Sequence, residues 1–162
     1  MDEHAVSRGS PSADGPSALV DRLLRAVNAH DLEALVACFA DDYLNETPAH
    51  PQRGFRGNQQ VRRNWTQILA GVPDLRASVP RVAVDGDAVW TEWDMSGTRR
   101  DGAPHAMRGV VIFQVVGDVI ASARFYLEPV EETSGDADAA VGRVTGTGAS
   151  RPAGAGGAVV TS

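Results

Sequence analysis

In the first half of the chain, apolar residues recur every three to four positions, which predicts amphipathic helices. A first helix begins at the N-cap Ser17 and has the apolar face Val20, Leu23, Leu24 and Val27. A second, capped by Asp31, has the face Leu32, Leu35, Val36 and Phe39 and ends at Ala40-Asp41-Asp42. A third, capped by Asn58, has the face Val61, Trp65, Ile68 and Leu69 and ends before Pro73.

The hydrophobic period changes to two after the third helix, which predicts strands. The strand segments are Leu75–Val84, Ala88–Thr98, His105–Val116 and Val119–Val130. Glycine-containing hairpin signals join them, namely Asp85-Gly86, Asp101-Gly102 and Gly117-Asp118. A short strand, Tyr43–Thr47, and a loop, His50–Gly57, lie between the second and third helices. This order predicts an α+β domain, with three helices on one face of an antiparallel sheet.

The two ends of the chain differ in composition from its middle. Residues 1–16 and the Gly/Ala-rich residues 131–162 contain few large apolar side chains. Such segments bury too little apolar surface to offset the entropy of ordering. We therefore expect two disordered tails around a single domain at residues 17–130.

Composition excludes several classes of protein. The net charge is −6, and the central segment has no basic excess, which argues against nucleic-acid binding. There is no apolar run long enough for a signal peptide or a membrane span, so we expect a cytoplasmic protein without membrane contact. The single cysteine, Cys38, is interpreted as a buried apolar residue. No histidine–carboxylate cluster has metal-ligand spacing, so neither a metal nor another cofactor is predicted.

Two segments resemble the SnoaL-like, nuclear transport factor 2-like superfamily. Residues 28–42 end in Phe39-Ala40-Asp41-Asp42 and look like that family's second-helix segment. Gly109–Phe113, a hairpin and Ile120–Tyr126 look like its last two strands. The resemblance covers about residues 17–130. It implies a cone-shaped curved sheet that encloses an apolar pocket with its covering helices, a fold that hosts many activities.

The ketosteroid isomerases of this superfamily carry an aspartate base just before the proline that ends the first strand. That position is Thr47 here, and threonine takes up no proton at neutral pH. The isomerase tyrosine falls near Leu23, and the second oxyanion donor falls within Val110–Phe113. The resemblance therefore does not extend to the isomerase acid and base.

The limonene-epoxide hydrolases of the superfamily hold the attacking water with a Tyr-x-Asn pair, which is present here as Tyr43 and Asn45. The family's arginine and two aspartates correspond to Trp93, Met95 and Phe125, which neither donate nor accept a proton. A one-residue shift of the strand through a β-bulge would instead turn Asp94 inward. The catalytic candidates are therefore Tyr43, Asn45, Asp94 and, in the loop at the expected pocket mouth, His50.

Alternation along the strands predicts which side chains face the pocket. The expected ligand-binding residues are Tyr43, Asn45, Phe55, Trp65, Trp93, Met95, Phe125 and Leu127. An apolar slot with a few polar groups fits a small hydrophobic molecule. Three functions remain open: a binding module without chemistry, a cyclase-, isomerase- or hydrolase-like enzyme, and a structural dimerisation domain. Val110, Ile112 and Val116 on the outer sheet face predict a homodimer through that face.

Overall fold

The computed structural model describes residues 15–132 and 135–148. The helices in these ranges are α1 (Pro16–Ala29), α2 (Leu32–Val36), α3 (Asn58–Gly71) and α4 (Ala137–Thr145). The strands are β1 (Phe39–Glu46), β2 (Phe55–Arg56), β3 (Arg76–Asp85), β4 (Ala88–Thr98), β5 (Pro104–Val116) and β6 (Val119–Pro129). A single 3₁₀ turn, Pro51–Arg53, precedes β2. No helix in the described ranges has the length and apolar character that a membrane crossing requires.

The six strands form one curved, unclosed sheet in the order β2-β1-β6-β5-β4-β3. The structure confirms the predicted α+β class and the predicted antiparallel meander, which runs from β3 to β6. The sheet is mixed rather than antiparallel throughout, because β1 runs parallel to β6 and pairs Asn45 with Ala123. In β5, Gly109 has a φ of 151°, and a Cβ there would overlap the Tyr126 carbonyl oxygen. Only glycine therefore fits at this bend.

Three of the predicted helix boundaries were wrong. The N-cap of α1 is Gly15 rather than Ser17. The α2 helix ends at Val36, so that Phe39 lies in β1 and pairs with Ile120, although its spacing continues the helical pattern. The N-cap of α3 is Gly57, while the Asn58 side chain donates to the Asp41 carboxylate at 3.2 Å.

The hydrophobic core lies between the inner face of the sheet and the helices α1 to α3. Inward residues of the central strands, such as Val89, Val111 and Phe113, are at most 2% exposed. The α1 helix covers β3 and β4 with Leu23 and Val27, and α3 lies against β1. The helices thus cover different parts of one concave face.

A second unit begins at Glu131. Its helix α4, Ala137–Thr145, lies within the segment that was expected to be a disordered tail. The reason for this helix is local, because the Asp136 side chain accepts from the Ala139 amide at 3.0 Å and caps a run of helix-forming residues. Gly146 ends the helix in the left-handed conformation. Residues 1–14, 133–134 and 149–162 lie outside the described residues, so the proposed tail boundaries stay a prediction.

Candidate functional site

A cavity of about 360 Å³ lies between α3 and the inner face of the sheet, and we call it the inner cavity. Its walls are mostly apolar. Seven of the residues predicted from the sequence line it, namely Tyr43, Asn45, Phe55, Trp65, Met95, Phe125 and Leu127. The structure therefore brings together residues from β1, β2, α3, β4 and β6 around one space.

One wall of the inner cavity carries a short chain of hydrogen bonds. The Tyr43 hydroxyl donates to Asn45 Oδ1 at 3.0 Å, and Asn45 Nδ2 donates to Thr47 Oγ1 at 3.4 Å. These residues lie two apart along β1 and its end, so their side chains point to the same side. Tyr43 is 1% exposed and Asn45 7%, which makes this a buried polar cluster in an apolar surround.

Burial determines what this cluster can do. Loss of solvent raises the pKa of Tyr43 above that of a free tyrosine, so its hydroxyl stays protonated at neutral pH and is no base. The hydroxyl hydrogen of Tyr43 is already donated to Asn45 Oδ1. One amide hydrogen of Asn45 and the hydroxyl hydrogen of Thr47 remain for a ligand. The cluster therefore offers donors to a hydrogen-bond acceptor.

Trp93 faces inward as predicted but does not line the inner cavity. It is 4% exposed and packs edge-on against Phe113 at a ring-centroid distance of 6.3 Å. Its indole nitrogen donates to Thr91 Oγ1 at 2.8 Å, and the Thr91 hydroxyl donates to the Val111 carbonyl at 2.6 Å. The structure therefore places Trp93 in the filled core, outside the lining of the inner cavity.

Asp94 lies on the outer face of the sheet. Its neighbours Trp93 and Met95 face inward, and the Asp94 carboxylate accepts from the Arg108 guanidinium at 3.1 Å. The register between Arg108 and Asp94 continues without a bulge through the β4–β5 ladder. The shifted register that would place Asp94 in the pocket is therefore not observed.

His50 does not line the inner cavity either. Its Nε2 lies 2.9 Å from Glu128 Oε1, which joins the loop after β1 to the end of β6. The backbone amide of His50 donates to the Thr47 carbonyl at 2.8 Å, closing a turn. These contacts give His50 a structural role in holding the loop.

Four polar residues that line the inner cavity were not among the predicted site residues: Thr47, Arg53, Asn64 and His105. The alternation that turns Met107 inward also assigns His105 to the inner face, so His105 could have been predicted as a lining residue from the sequence. Arg53 lies in a 3₁₀ turn, where no periodicity applies. Asn64, Ile68 and His105 also border an open groove of about 670 Å³ that adjoins the inner cavity.

The chemistry of the inner cavity is limited by the residues that line it. Of the described residues in its wall, none is an aspartate or a glutamate. Within residues 15–132 and 135–148, no group of three or more His, Cys, Asp or Glu side chains is arranged to hold a metal ion. The arrangement offers apolar contact and hydrogen-bond donors rather than a carboxylate base.

The outer face of the sheet carries an apolar patch formed by Trp90, Val110, Ile112 and Tyr126, which we call the outer patch. Trp90 lies opposite Ile112, and Val110 lies opposite Tyr126 in the strand register. Trp90 is 49% exposed and Tyr126 41%. Ion pairs border the patch, namely Arg108–Asp94, Arg81–Glu92 and Arg124–Glu46.

The sequence profile of the SnoaL-like domain matches residues 20–123, more than half of the chain. None of the curated protein sequences matches the chain significantly.

Several solved structures share the fold. A candidate polyketide cyclase from Streptomyces antibioticus is 24% identical, with a TM-score of 0.61 over 70% of this chain and 91% of its own. A Mycobacterium tuberculosis protein in complex with estradiol-17β-hemisuccinate is 22% identical, with a TM-score of 0.60 over 69% and 93%. A Catenulispora acidiphila protein of ketosteroid isomerase-like fold, in complex with trimethylamine, is 19% identical, with a TM-score of 0.58 over 72% and 86%. Identities this low establish the fold and no activity.

Proposed function

The chain belongs to the SnoaL-like domain family, and on that basis we propose that it binds a small hydrophobic molecule in the inner cavity. The observation that carries this proposal is the hydrogen-bond chain from Tyr43 to Thr47, which ends in free donors inside an apolar space. One amide hydrogen of Asn45 and the hydroxyl hydrogen of Thr47 are not used within this chain of bonds, so such a wall favours a ligand with an acceptor oxygen. A ketone oxygen is the simplest group that receives both donors.

Size and lining support the proposal. A volume of about 360 Å³ lies at the low end of ligand pockets, which run from about 300 to 1,000 Å³. Such a space suits a molecule of two or three fused rings rather than a large polycycle. Two of the structural relatives hold small molecules, one of them a steroid ester.

The proposal is tested by titrating the full chain with 9-fluorenone and with fluorene, which share a flat body and differ in the ketone oxygen. We expect 9-fluorenone to bind more tightly, because only it accepts from Asn45 and Thr47. Losing one buried hydrogen bond costs about 1–3 kcal/mol, or roughly five- to more than a hundredfold in affinity. Thr47→Val should weaken this preference, because only the Asn45 amide remains as a donor, and Thr47→Ser should keep it. Equal binding of both compounds, or binding of neither, contradicts the proposal.

An enzyme of the cyclase or isomerase kind is the second candidate function. One observation favours it: His105 lines the inner cavity, and histidine is the side chain that most often moves protons in catalysis. A reaction that this residue carries would disappear in His105→Gln while ligand affinity stayed the same. If turnover survived that change, His105 would not be the base.

We also propose a homodimer through the outer patch, where exposed Trp90 and Tyr126 lie beside Val110 and Ile112. Aromatic residues are enriched in protein–protein interfaces, so a patch with two exposed aromatic side chains favours dimerisation. Ile112→Lys should split the dimer in light scattering, because it buries an unpaired charge. The matched control is Val84→Lys, which adds the same charge to a half-exposed valine on the opposite face of the sheet. A monomer in the unmodified protein at micromolar concentration would contradict this proposal.

A further inference from the structure

A single arginine, Arg53, lines the inner cavity. It ends the 3₁₀ turn Pro51–Arg53 and is exposed to solvent, so it lies where the cavity opens. Among the described residues of the lining, it is the only side chain with a permanent charge, and no carboxylate faces it across the cavity. The one permanent charge that the described lining presents at this opening is therefore positive.

Arg53 also differs from the arginines of the adjoining groove. There Arg99 forms an ion pair with Asp101, and Arg100 donates to the Ala70 carbonyl. The Arg53 side chain makes no hydrogen bond or ion pair with any residue in the described part of the chain. All five of its N–H donors remain available at the edge of an apolar space.

The backbone holds Arg53 in this place. The Arg53 amide donates to the His50 carbonyl at 2.9 Å, and the His50 ring is held by Glu128 at 2.9 Å. A Cβ on Gly54 would lie 3.1 Å from the Asn45 carbonyl oxygen, so the turn packs closely on β1. The backbone of the turn that carries Arg53 is therefore anchored to both β1 and β6, which keeps this residue at the opening.

We propose that the ligand of the inner cavity is an amphipathic anion, with its apolar body inside and a carboxylate at the opening against Arg53. The planar guanidinium matches a carboxylate with two parallel hydrogen bonds. This inference rests on the proposed function, since it requires a ligand in the inner cavity. It adds a second recognition point, distinct from the donors of Asn45 and Thr47.

The test compares 9-fluorenone-2-carboxylate with 9-fluorenone-2-carboxamide by calorimetric titration of the full chain at low salt. The two compounds have nearly the same shape, and only the first is charged. We expect the carboxylate to bind about three- to tenfold more tightly, the range for a partly exposed guanidinium–carboxylate pair. This advantage should shrink as salt is raised, because salt screens exposed charges.

Two variants separate Arg53 from the general charge of the protein. Arg53→Gln should abolish the preference for the carboxylate over the carboxamide. Arg56→Gln is the matched control. Arg56 is exposed, lies three residues away in β2 and does not line the inner cavity, and its side chain has no hydrogen-bond or ion-pair partner in the described part of the chain. It removes the same charge and should leave the preference intact.

The outcomes distinguish this inference from the proposed function. If 9-fluorenone binds better than fluorene but the carboxylate has no advantage over the carboxamide, the cavity binds ligands and the anionic class is wrong. An advantage that survives Arg53→Gln, or that disappears equally in Arg56→Gln, also overturns the assignment to Arg53. If neither 9-fluorenone nor its carboxylate binds, both proposals are wrong.

Discussion

The concave face of the sheet has a filled end and a hollow end. At the filled end, Trp93 packs on Phe113 and donates to Thr91. At the hollow end, Tyr43 and Asn45 hold each other and border the inner cavity. Both ends use inward residues of neighbouring strands, but the helix above them differs.

The helices that cover the two ends explain why only one end contains a cavity. The α1 helix presents a dense apolar face, with Leu19, Val20, Leu23, Ala26 and Val27 all buried. In α3 the only buried residue is Val61, while Trp65, Ile68 and Leu69 stay partly exposed. A helix whose apolar side chains meet the sheet only in part leaves space below it. The hollow end is thus a property of α3 as much as of the strands.

The largest expected effect is the difference in lost stability between two tryptophan variants, one at each end of the concave face. Trp93→Ala should lower the free energy of unfolding by about 3–5 kcal/mol, because it empties a filled core. Trp65→Ala should cost about 1–2 kcal/mol, because this partly exposed side chain already borders a cavity. Urea unfolding of both variants measures the difference. Equal losses would mean that the two ends are packed alike.

The second prediction concerns the buried polar pair at the hollow end. Asn45→Leu should cost about 1–3 kcal/mol of stability, because the buried Tyr43 hydroxyl loses its acceptor. The double variant with Tyr43→Phe should recover most of that loss, since no orphaned hydroxyl remains. Urea unfolding of the two single variants and the double variant completes the cycle. Strictly additive losses would show that the two side chains do not interact.

The smallest change in stability is expected for a substitution on the outer face of the sheet, outside both ends of the concave face. Asp94 and Arg108 form an ion pair whose side chains are 40% and 66% exposed, so Asp94→Asn should change the free energy of unfolding by less than about 0.5 kcal/mol. The same variant should bind 9-fluorenone as the unmodified chain does. A loss of ligand binding in Asp94→Asn would contradict the observed register.

Much of the fold could be predicted from local patterns. The strand Ala88–Thr98 was predicted to the residue, because strict alternation between two glycine-containing turns leaves little freedom. Phe39 was misassigned because its spacing from Leu35 and Val36 is helical, and only its pairing with Ile120 reveals a strand. The parallel pairing of β1 with β6 joins residues far apart in sequence, so no local signal contains it.

The candidate site was less predictable than the fold. Alternation correctly turned Trp93, Met95 and Phe125 inward, yet it carries no information on which helix covers each residue. Trp93 therefore fills the core while Met95 lines the inner cavity. Arg53 was missed because a 3₁₀ turn has no repeating face. The partner of His50 could not be predicted from the sequence either, since Glu128 lies on another strand.

The most direct test of a ligand in the hollow end uses the three tryptophans as reporters. Trp65 lines the inner cavity, Trp93 lies in the filled core and Trp90 lies on the outer face. Titration with 9-fluorenone should quench tryptophan fluorescence in the unmodified chain and in Trp90→Phe. The same titration should leave the fluorescence of Trp65→Phe nearly unchanged. Quenching that persists in Trp65→Phe and disappears in Trp90→Phe would place the ligand outside the inner cavity and contradict the account.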